Sequence, residues 1–347
     1  MTSKNKNLHS SKANKNDEFY TRYNDIAEEL KHYTKHFEDK IILCNCDDPE
    51  WSKFWLYFET KFESLGLKKL ISTHYNMDGS PSYALIFEGE YSEDGSPITT
   101  RIELEGSGEF QSEECVEYLK QADIVVTNPP FSIAREEFIP LLIEHDKKFL
   151  IIGDDNWITY KSIFKLFQDN KIWKGLNSVK AFTQPDGSEK QFGNKSWFTN
   201  LDNDTRHRKI ILLQDYNIDD YIVYDNYDAI DIGRYNDKGE WKADIRCIPD
   251  FYNGIMGVPI TFVNKYCPEQ FEIIGLGTSR EHYTPNKQYE GLKTHKTNGK
   301  VINGAPINST LAIKVDQAPS KKDYYTDSDG NIYIQPYARV LIKRKDD

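Results

Sequence analysis

Nowhere in its 347 residues does the chain carry an apolar run approaching the roughly 18 residues of a membrane span. Its first fifteen residues are polar and rich in Lys and Asn, without the apolar segment of a secretory signal. A soluble, cytoplasmic protein is expected. Cysteine is scarce: five residues (Cys44, Cys46, Cys115, Cys247, Cys267), odd in number and scattered, fit neither a disulfide framework nor paired metal knuckles. Cys44 and Cys46 have no His or second Cys pair nearby at ligand spacing. His32 and His36 stand four apart, but Tyr33 occupies the place where a zinc hydrolase needs Glu. Reduced thiols and no metal are expected. Positive charge is in deficit, with 44 Lys and Arg against 55 Asp and Glu, a net charge of -11. That average counts against a nucleic-acid partner, because phosphate neutralisation supplies most non-specific affinity.

The cations that are present cluster, in Arg206-His207-Arg208-Lys209, in residues 287–300 with four lysines and His295, in Lys321-Lys322 and in Lys343-Arg344-Lys345. Each run alone reads as a solvated face, yet one basic cleft suffices to bind DNA while the rest of an acidic surface repels it. Aromatic residues are abundant, 22 Tyr and 18 Phe within a 38% hydrophobic chain, so the protein folds. Its length allows a catalytic domain together with a region that reads the substrate.

Residues 1–16 lack the apolar side chains needed to pack and are expected to be a disordered tail. Helical spacing marks residues 25–37, and the apolar run 41–43 reads as a buried strand that delivers the polar turn 44–49. A helix through Trp51, Phe54, Trp55, Phe58 and Phe62, closed by Gly66, leads to a second strand at 69–73. Residues 82–89 and 98–105 flank an Asp94-Gly95 turn and read as an inserted hairpin. A helix around 115–119, a strand at 123–127, a helix at 133–145 and a strand at 148–152 continue the alternation. The expected fold is α/β, an open, doubly wound, mostly parallel sheet. Beyond residue 200 the alternation weakens, with strands expected at 209–213, 260–263 and 271–274, and a region boundary near 200–205.

The strand 123–127 runs directly into Asn128-Pro129-Pro130-Phe131, at the carboxyl end where ligands bind in such sheets. The residue types suit methylation of a ring amino group such as that of adenine, whose lone pair is delocalised and must be localised before it can attack. The Asn128 side-chain carbonyl and the Pro129 main-chain carbonyl can each accept one amino hydrogen and draw the nitrogen toward a tetrahedral geometry. Pro129 and Pro130 fix φ and brace those acceptors, and Phe131 offers a stacking platform. No strong base is required, because the nitrogen loses its proton after becoming cationic; alignment and electrostatics carry the step. A base inside a duplex must be flipped out, at ~a few kcal/mol, which stacking offsets.

Several ordered blocks extend the signal: Asp17-Glu18-Phe19-Tyr20-Thr21, residues 44–54 from Cys44 to Phe54, Asn128-Pro129-Pro130-Phe131-Ser132, residues 192–201 and residues 256–262. Together they resemble the EcoRI-type adenine-specific DNA methyltransferases over most of the chain after residue 17. The resemblance implies a class I, Rossmann-like methyltransferase that uses S-adenosylmethionine and acts on double-stranded DNA. It places Phe19, Tyr20 and Thr21 beside the methionine part of the cofactor. The turn Asn45, Cys46, Asp47, Asp48 stands in place of the usual glycine-rich motif although it holds no glycine. Asp47 or Asp48 could bind the cofactor ammonium, or both could cap the helix that follows. Glu109 and Phe110, after Gly106-Ser107-Gly108, resemble the element that binds and stacks the cofactor adenine, with a plain flexible loop as the competing reading. The second strand ends in Thr73-His74-Tyr75-Asn76, which offers no acid for the ribose. Gly275-x-Gly277 reads as a turn.

Residues 17–204 are thus expected to bind the cofactor and carry catalysis, and residues 205–347 to complete the fold and recognise DNA. Arg206, Arg208, Lys287 and Lys293 are candidates for phosphate contacts. A monomer is expected rather than an obligate oligomer. Rival readings are glutamine methylation in release factors, where Tyr usually replaces Phe131, guanine N2 methylation in RNA, and a DNA-binding decoy without catalysis.

Overall fold

The computed structural model describes residues 20–76, 81–184, 187–278 and 284–345. The expected tail and Phe19 lie outside the described residues. Two compact units form, one from the residues up to Ile163 with Lys171–Asn203, the other from Phe164–Asn170 with the residues from Asp204 onward.

The first unit follows the order β1 (Tyr20–Thr21), α1 (Tyr23–Leu30), β2 (Ile41–Cys44), α2 (Lys53–Thr60), α3 (Phe62–Leu65), β3 (Lys69–Thr73), β4 (Tyr83–Tyr91) and β5 (Pro97–Glu103). It continues with α4 (Glu113–Gln121), β6 (Ile124–Thr127), α5 (Phe131–Ile133), a π-helical turn (Ala134–Phe138), α6 (Ile139–Glu144), β7 (Lys148–Asp154), α7 (Lys161–Gln168), β8 (Trp173–Thr183) and β9 (Glu189–Thr199). The last residues of α7 belong to the second unit. Among the described residues these strands make one nine-stranded sheet in the order β1-β8-β9-β7-β6-β2-β3-β4-β5. Apart from half-buried Ile41, the apolar residues of β2 and β6 are buried, which is why both read as unbroken hydrophobic runs. On one side Phe54, Phe58 and Phe62 of α2 and α3 pack with Phe37, Leu70 and Phe87, and Gly66 ends α3 at φ 63° as the sequence predicts.

Within this sheet, among the described residues, parallel pairing is confined to β3-β2-β6-β7. The expectation of a mostly parallel sheet is corrected: the sheet is mixed. The Asp94-Gly95 hairpin is not set apart from the sheet but pairs antiparallel to β3 through β4, and the β8–β9 hairpin pairs antiparallel to β7 through β9. Within the parallel core the strand order reverses between β2, first in chain order, and β6, third. Two loops therefore leave adjacent carboxyl ends there, the turn after Cys44 and the loop after Thr127, at the kind of switch point where such sheets hold ligands in a crevice.

The second unit is built mainly of short strands. Among its described residues one five-stranded sheet joins Ile222–Val223, Ala229–Asp231, Ile255–Pro259, Arg339–Arg344 and Phe271–Leu276. It is pinned by a buried pair in which Arg339 Nε donates to Asp231 Oδ1 at 2.7 Å, while Trp241 Nε1 donates to Asp231 Oδ2 at 2.6 Å. A second five-stranded sheet joins Val301–Asn303, Lys293–His295, Tyr324–Thr326, Ile332–Ile334 and Ile313–Val315. Two expected strands are not formed. Residues 209–213 have no strand partner: the side chain of Gln270 bonds both the N–H and the C=O of Ile210, and Ile211 and Leu213 project outward. Residues 260–263 lie in a 3-10 turn, because Pro259 ends the preceding strand and fixes the φ that starts the turn. The strand expected at 271–274 forms and runs on to Leu276, so Gly275, expected in a turn, lies within the strand at the register shift opposite Leu341.

Candidate active site

The turn after β2 holds its shape without glycine. Among the described residues the non-glycine positions with positive φ are Asp39, Asp146 and Asn170, so residues 45–48 need no glycine conformation. Hydroxyls of the neighbouring strands fix the turn instead. Ser72 Oγ lies 2.9 Å from the Cys44 carbonyl and 2.5 Å from the Asp47 carbonyl, and Thr73 Oγ1 donates to the Asn45 carbonyl at 3.2 Å. From β6, Thr127 Oγ1 accepts the Cys46 N–H at 3.1 Å.

The two aspartates of the turn go separate ways. Asp47 Oδ2 accepts from the Thr127 hydroxyl and, at 3.0 Å, from the main-chain N–H of Asn128. Burial pushes its carboxyl up to about 7, against the lowering effect of its bonds to Thr127, Asn128 and Ser52. Asp48 Oδ1 accepts the Glu50 N–H at 2.9 Å, and its Oδ2 lies 2.8 Å from His74 Nδ1 at the end of β3. Neither carboxylate caps α2; that helix starts at Lys53, and Ser52 Oγ accepts the Phe54 N–H at 3.0 Å. An acid thus does stand at the end of β3, supplied from the neighbouring turn. The His74 ring stacks on Tyr83 at 4.8 Å, and the Tyr83 hydroxyl donates to Glu50 Oε1 at 2.8 Å. Burial, then the bond to Glu50, raises the Tyr83 phenol above its usual range.

Glu109 is exposed in a loop seated against the end of β3, and Phe110 is buried with its ring edge-on to Phe138 at 5.1 Å. Gly108, at φ 77°, permits that seating: a Cβ there would fall 2.0 Å from the His74 carbonyl oxygen.

At the crevice Pro129 is buried, and the Pro130 carbonyl accepts the N–H groups of Ile133 and Ala134, so the tetrapeptide is anchored at its far end. Phe131 is half-buried, with Phe182 of β8 at 5.9 Å and Phe192 of β9 at 6.4 Å, both edge-on. Lys195 Nζ lies 3.8 Å from the Phe131 ring centroid. Although a lysine, Lys195 is only 5% exposed. Its ammonium donates to Asp154 Oδ2 at 3.0 Å, and Asn194 Nδ2 donates to the other oxygen at 2.8 Å. A cavity of about 340 Å³ runs along β8 and β9 with Phe192 and Lys195 in its wall. Phe182, Phe192, Lys195, Asn194 and Asp154 thus adjoin the candidate loop, and the sequence reading assigns none of them a role. The run 192–201 signals Phe192, Asn194 and Lys195 only as a block, and nothing in the sequence singles out Phe182 or Asp154. Tyr20 and Thr21 reach this end of the sheet because β1 pairs antiparallel with β8, with Thr21 opposite Phe182.

Two buried polar atoms of the candidate cofactor residues, Thr21 Oγ1 and Asn45 Nδ2, have no hydrogen-bond partner among the described residues. Buried polar groups are normally paired, so these atoms suit a polar ligand. Among the described residues no group of three or more His, Cys, Asp or Glu could hold a metal, and no helix is long and apolar enough to cross a membrane.

The candidate phosphate contacts differ in availability. Arg208 and Lys293 are exposed, Lys287 pairs with Asp225 at 2.6 Å, and half-buried Arg206 donates to Asn170 Oδ1.

A family model described as adenine-specific methyltransferase EcoRI matches residues 7–345. The chain belongs to this family. Curated relatives include the type II methyltransferase M.EcoRI of Escherichia coli, 44% identical over 300 residues that make up 78% of this chain and 89% of the relative. M.MpnI of Mycoplasma pneumoniae is 37% identical over 83% of this chain and 88% of its own length, and M.MgeORF184P of Mycoplasma genitalium 37% over 83% and 89%. No solved structure matches the chain. As a member of the EcoRI family the protein is a site-specific DNA methyltransferase acting on adenine. Its mixed α/β sheet is consistent with a methyltransferase fold.

Proposed function

We propose that the protein methylates the exocyclic N6 of an adenine flipped out of duplex DNA, in the crevice between the turn Asn45–Asp48 and the loop Asn128–Phe131. The observation that carries this reading is the bond from Asp47 to the Asn128 main chain, which binds the two loops into one constellation where the strand order reverses. The fold is read as a doubly wound, Rossmann-like core extended by antiparallel hairpins at both edges, with the second unit as DNA-recognition region.

Asn128 and Pro129 carbonyls accept the two amino hydrogens and localise the nitrogen lone pair; Pro130 braces them. Phe131 offers the base its stacking surface, with Phe192 edge-on beside it and Lys195, oriented by Asp154, placing a cation over one face of the Phe131 ring. S-adenosylmethionine, when bound, supplies a methyl group activated on a sulfonium. The buried Asn45 amide and Thr21 hydroxyl fit the polar amino-acid end of that molecule, with Tyr20 beside them. Asp48, held next to His74, is the acid nearest the end of β3 and takes the ribose side. Glu109 and Phe110 close the adenine side. Arg206, Arg208, Lys287 and Lys293 contribute phosphate contacts from the second unit.

The test is direct. The protein is incubated with S-adenosylmethionine carrying a labelled methyl group and duplex DNA, RNA or protein, and DNA from expressing cells is read by methylation-sensitive long-read sequencing. Label on N6 of adenine within one recurrent DNA sequence is expected; label on RNA or protein, or none, refutes the reading.

A further inference from the structure

We propose that Asp47 is the positioning residue of the catalytic loop: its Oδ2 atom holds the Thr127 hydroxyl and the Asn128 main-chain N–H, and so sets where the Asn128 and Pro129 carbonyls point. This assignment rests on the reading of Asn128–Phe131 as the catalytic loop. A single carboxylate oxygen takes donors from two successive residues at the very end of β6. The Thr127 hydroxyl in turn accepts from Cys46, so the contact closes as a ring from the turn to the loop and back. Downstream the chain is stiff, because Pro129 and Pro130 lock φ. Fixing residues 127 and 128 therefore fixes the direction of everything up to the Pro130 cap.

Of the two roles first open to Asp47, helix capping belongs to Ser52. For an ammonium contact, Oδ2 is already engaged by the loop. The groups around Asp47 are the Cys44 and Cys46 thiols of its own strand and turn, Asp48 beside it, Ser52 at the start of α2, and Thr127 and Asn128 on β6. No cation stands among these groups. Burial in such surroundings lifts the carboxyl into the neutral range, so the ionised acceptor that grips the loop is lost as pH falls through about 7.

The experiment uses the full chain with Asp47→Asn and, separately, Thr127→Val, which removes one arm of the contact from the β6 side and leaves the carboxylate in place. Single-turnover methyl transfer to duplex DNA at saturating cofactor is compared with S-adenosylhomocysteine affinity by calorimetry, and kcat/KM is followed against pH. Both variants should slow methyl transfer by ~10–100-fold with S-adenosylhomocysteine affinity within about threefold of wild type, since small misplacement of reacting groups costs rate before binding. The wild-type profile should fall below about pH 7, and Asp47→Asn should lose that limb. Undiminished transfer in Thr127→Val, which decides the matter should Asp47→Asn not fold, overturns the proposal. So does a collapse of S-adenosylhomocysteine affinity in Asp47→Asn with the transfer rate preserved, which would make Asp47 a cofactor ligand. A wild-type protein that labels no adenine overturns the catalytic reading itself and this assignment with it.

Discussion

Replacing Asn128 by alanine isolates the chemistry of the loop from its architecture. The bond that ties residue 128 to Asp47 runs through the main-chain N–H, at 3.0 Å, and survives the substitution. The other end of the tetrapeptide is held by the Pro130 carbonyl, which accepts from Ile133 at 3.2 Å and Ala134 at 3.0 Å. The side-chain amide is lost, and with its carbonyl, on the proposed reading, one of two acceptors that draw on the amino group as it becomes cationic. Removal of one preorganised partner to transition-state charge costs ~2.7–4 kcal/mol, or ~10²–10³ in rate. The expected outcome is a loss of that size in the single-turnover rate, measured as label transferred to duplex DNA at saturating protein. Calorimetry with S-adenosylhomocysteine should give an affinity unchanged from wild type, because the substitution leaves the turn 45–48 and its hydroxyl contacts alone. A rate within about tenfold of wild type, with the fold intact, refutes the amino-acceptor role, since loss of a transition-state acceptor costs ~10²–10³.

Three further outcomes follow from contacts elsewhere. Lys195→Met removes the cation 3.8 Å from the Phe131 ring centroid; at ~2 kcal/mol for a desolvated cation–π contact, methyl transfer should fall ~30-fold, with Lys195→Arg partly restoring it. An unchanged single-turnover rate in Lys195→Met removes Lys195 from the site. Glu29, fully buried, accepts from Leu176 N, Asn177 N, Asn177 Nδ2 and the Tyr33 hydroxyl at 2.8–3.0 Å, tying α1 to β8. Glu29→Ala should cost ~3–5 kcal/mol in urea unfolding, and a loss below about 1 kcal/mol would show that water replaces those bonds. Burial raises the Glu29 pKa in the folded chain, so folding takes up a proton and stability declines as pH rises above the unfolded carboxyl value of ~4.3. In Glu29→Gln that decline should be absent from denaturation curves taken across pH. Arg208→Ala should flatten the dependence of log Kd for DNA on log salt by ~0.9 if Arg208 meets a phosphate, whereas Lys287→Ala should change it less because Asp225 already pairs with Lys287. Equal slopes in wild type and Arg208→Ala would exclude that contact.

The parallel core was legible because its strands are buried on both faces: 41–43 and 124–127 stand out as apolar runs, and each ends in a polar turn at the crevice. The Asp94-Gly95 turn likewise announced its hairpin, with Gly95 at φ 82°. The β8–β9 hairpin did not announce itself. Trp173–Thr183 carries Lys, Gly and Asn at half-buried positions, and its pairing with β9 slips register twice. It forms because β7 presents an edge to β9. Lys195 could not be read as buried from its neighbours, since the carboxylate that neutralises it lies on β7 and the ring beneath it follows β6. Residues 210–213 are an apolar run like that of a strand, but a strand needs a partner edge, and the Gln270 side chain takes that place at Ile210.

The glycine-free turn carries one more implication. In a glycine-rich loop the shape is encoded where it is used, so the loop can be exchanged between scaffolds as a cassette. Here the shape of residues 44–48 is encoded by Ser72, Thr73 and Thr127, on two other strands. The segment is therefore not portable: grafted elsewhere it would lose the hydroxyls that fix it, and a glycine-rich loop grafted here would take from the Thr127 hydroxyl its carboxylate acceptor. One of the three, Thr127, also immediately precedes the loop proposed to meet the methyl acceptor. The turn and that loop thus share a structural atom, and sequence drift in either is constrained by the other.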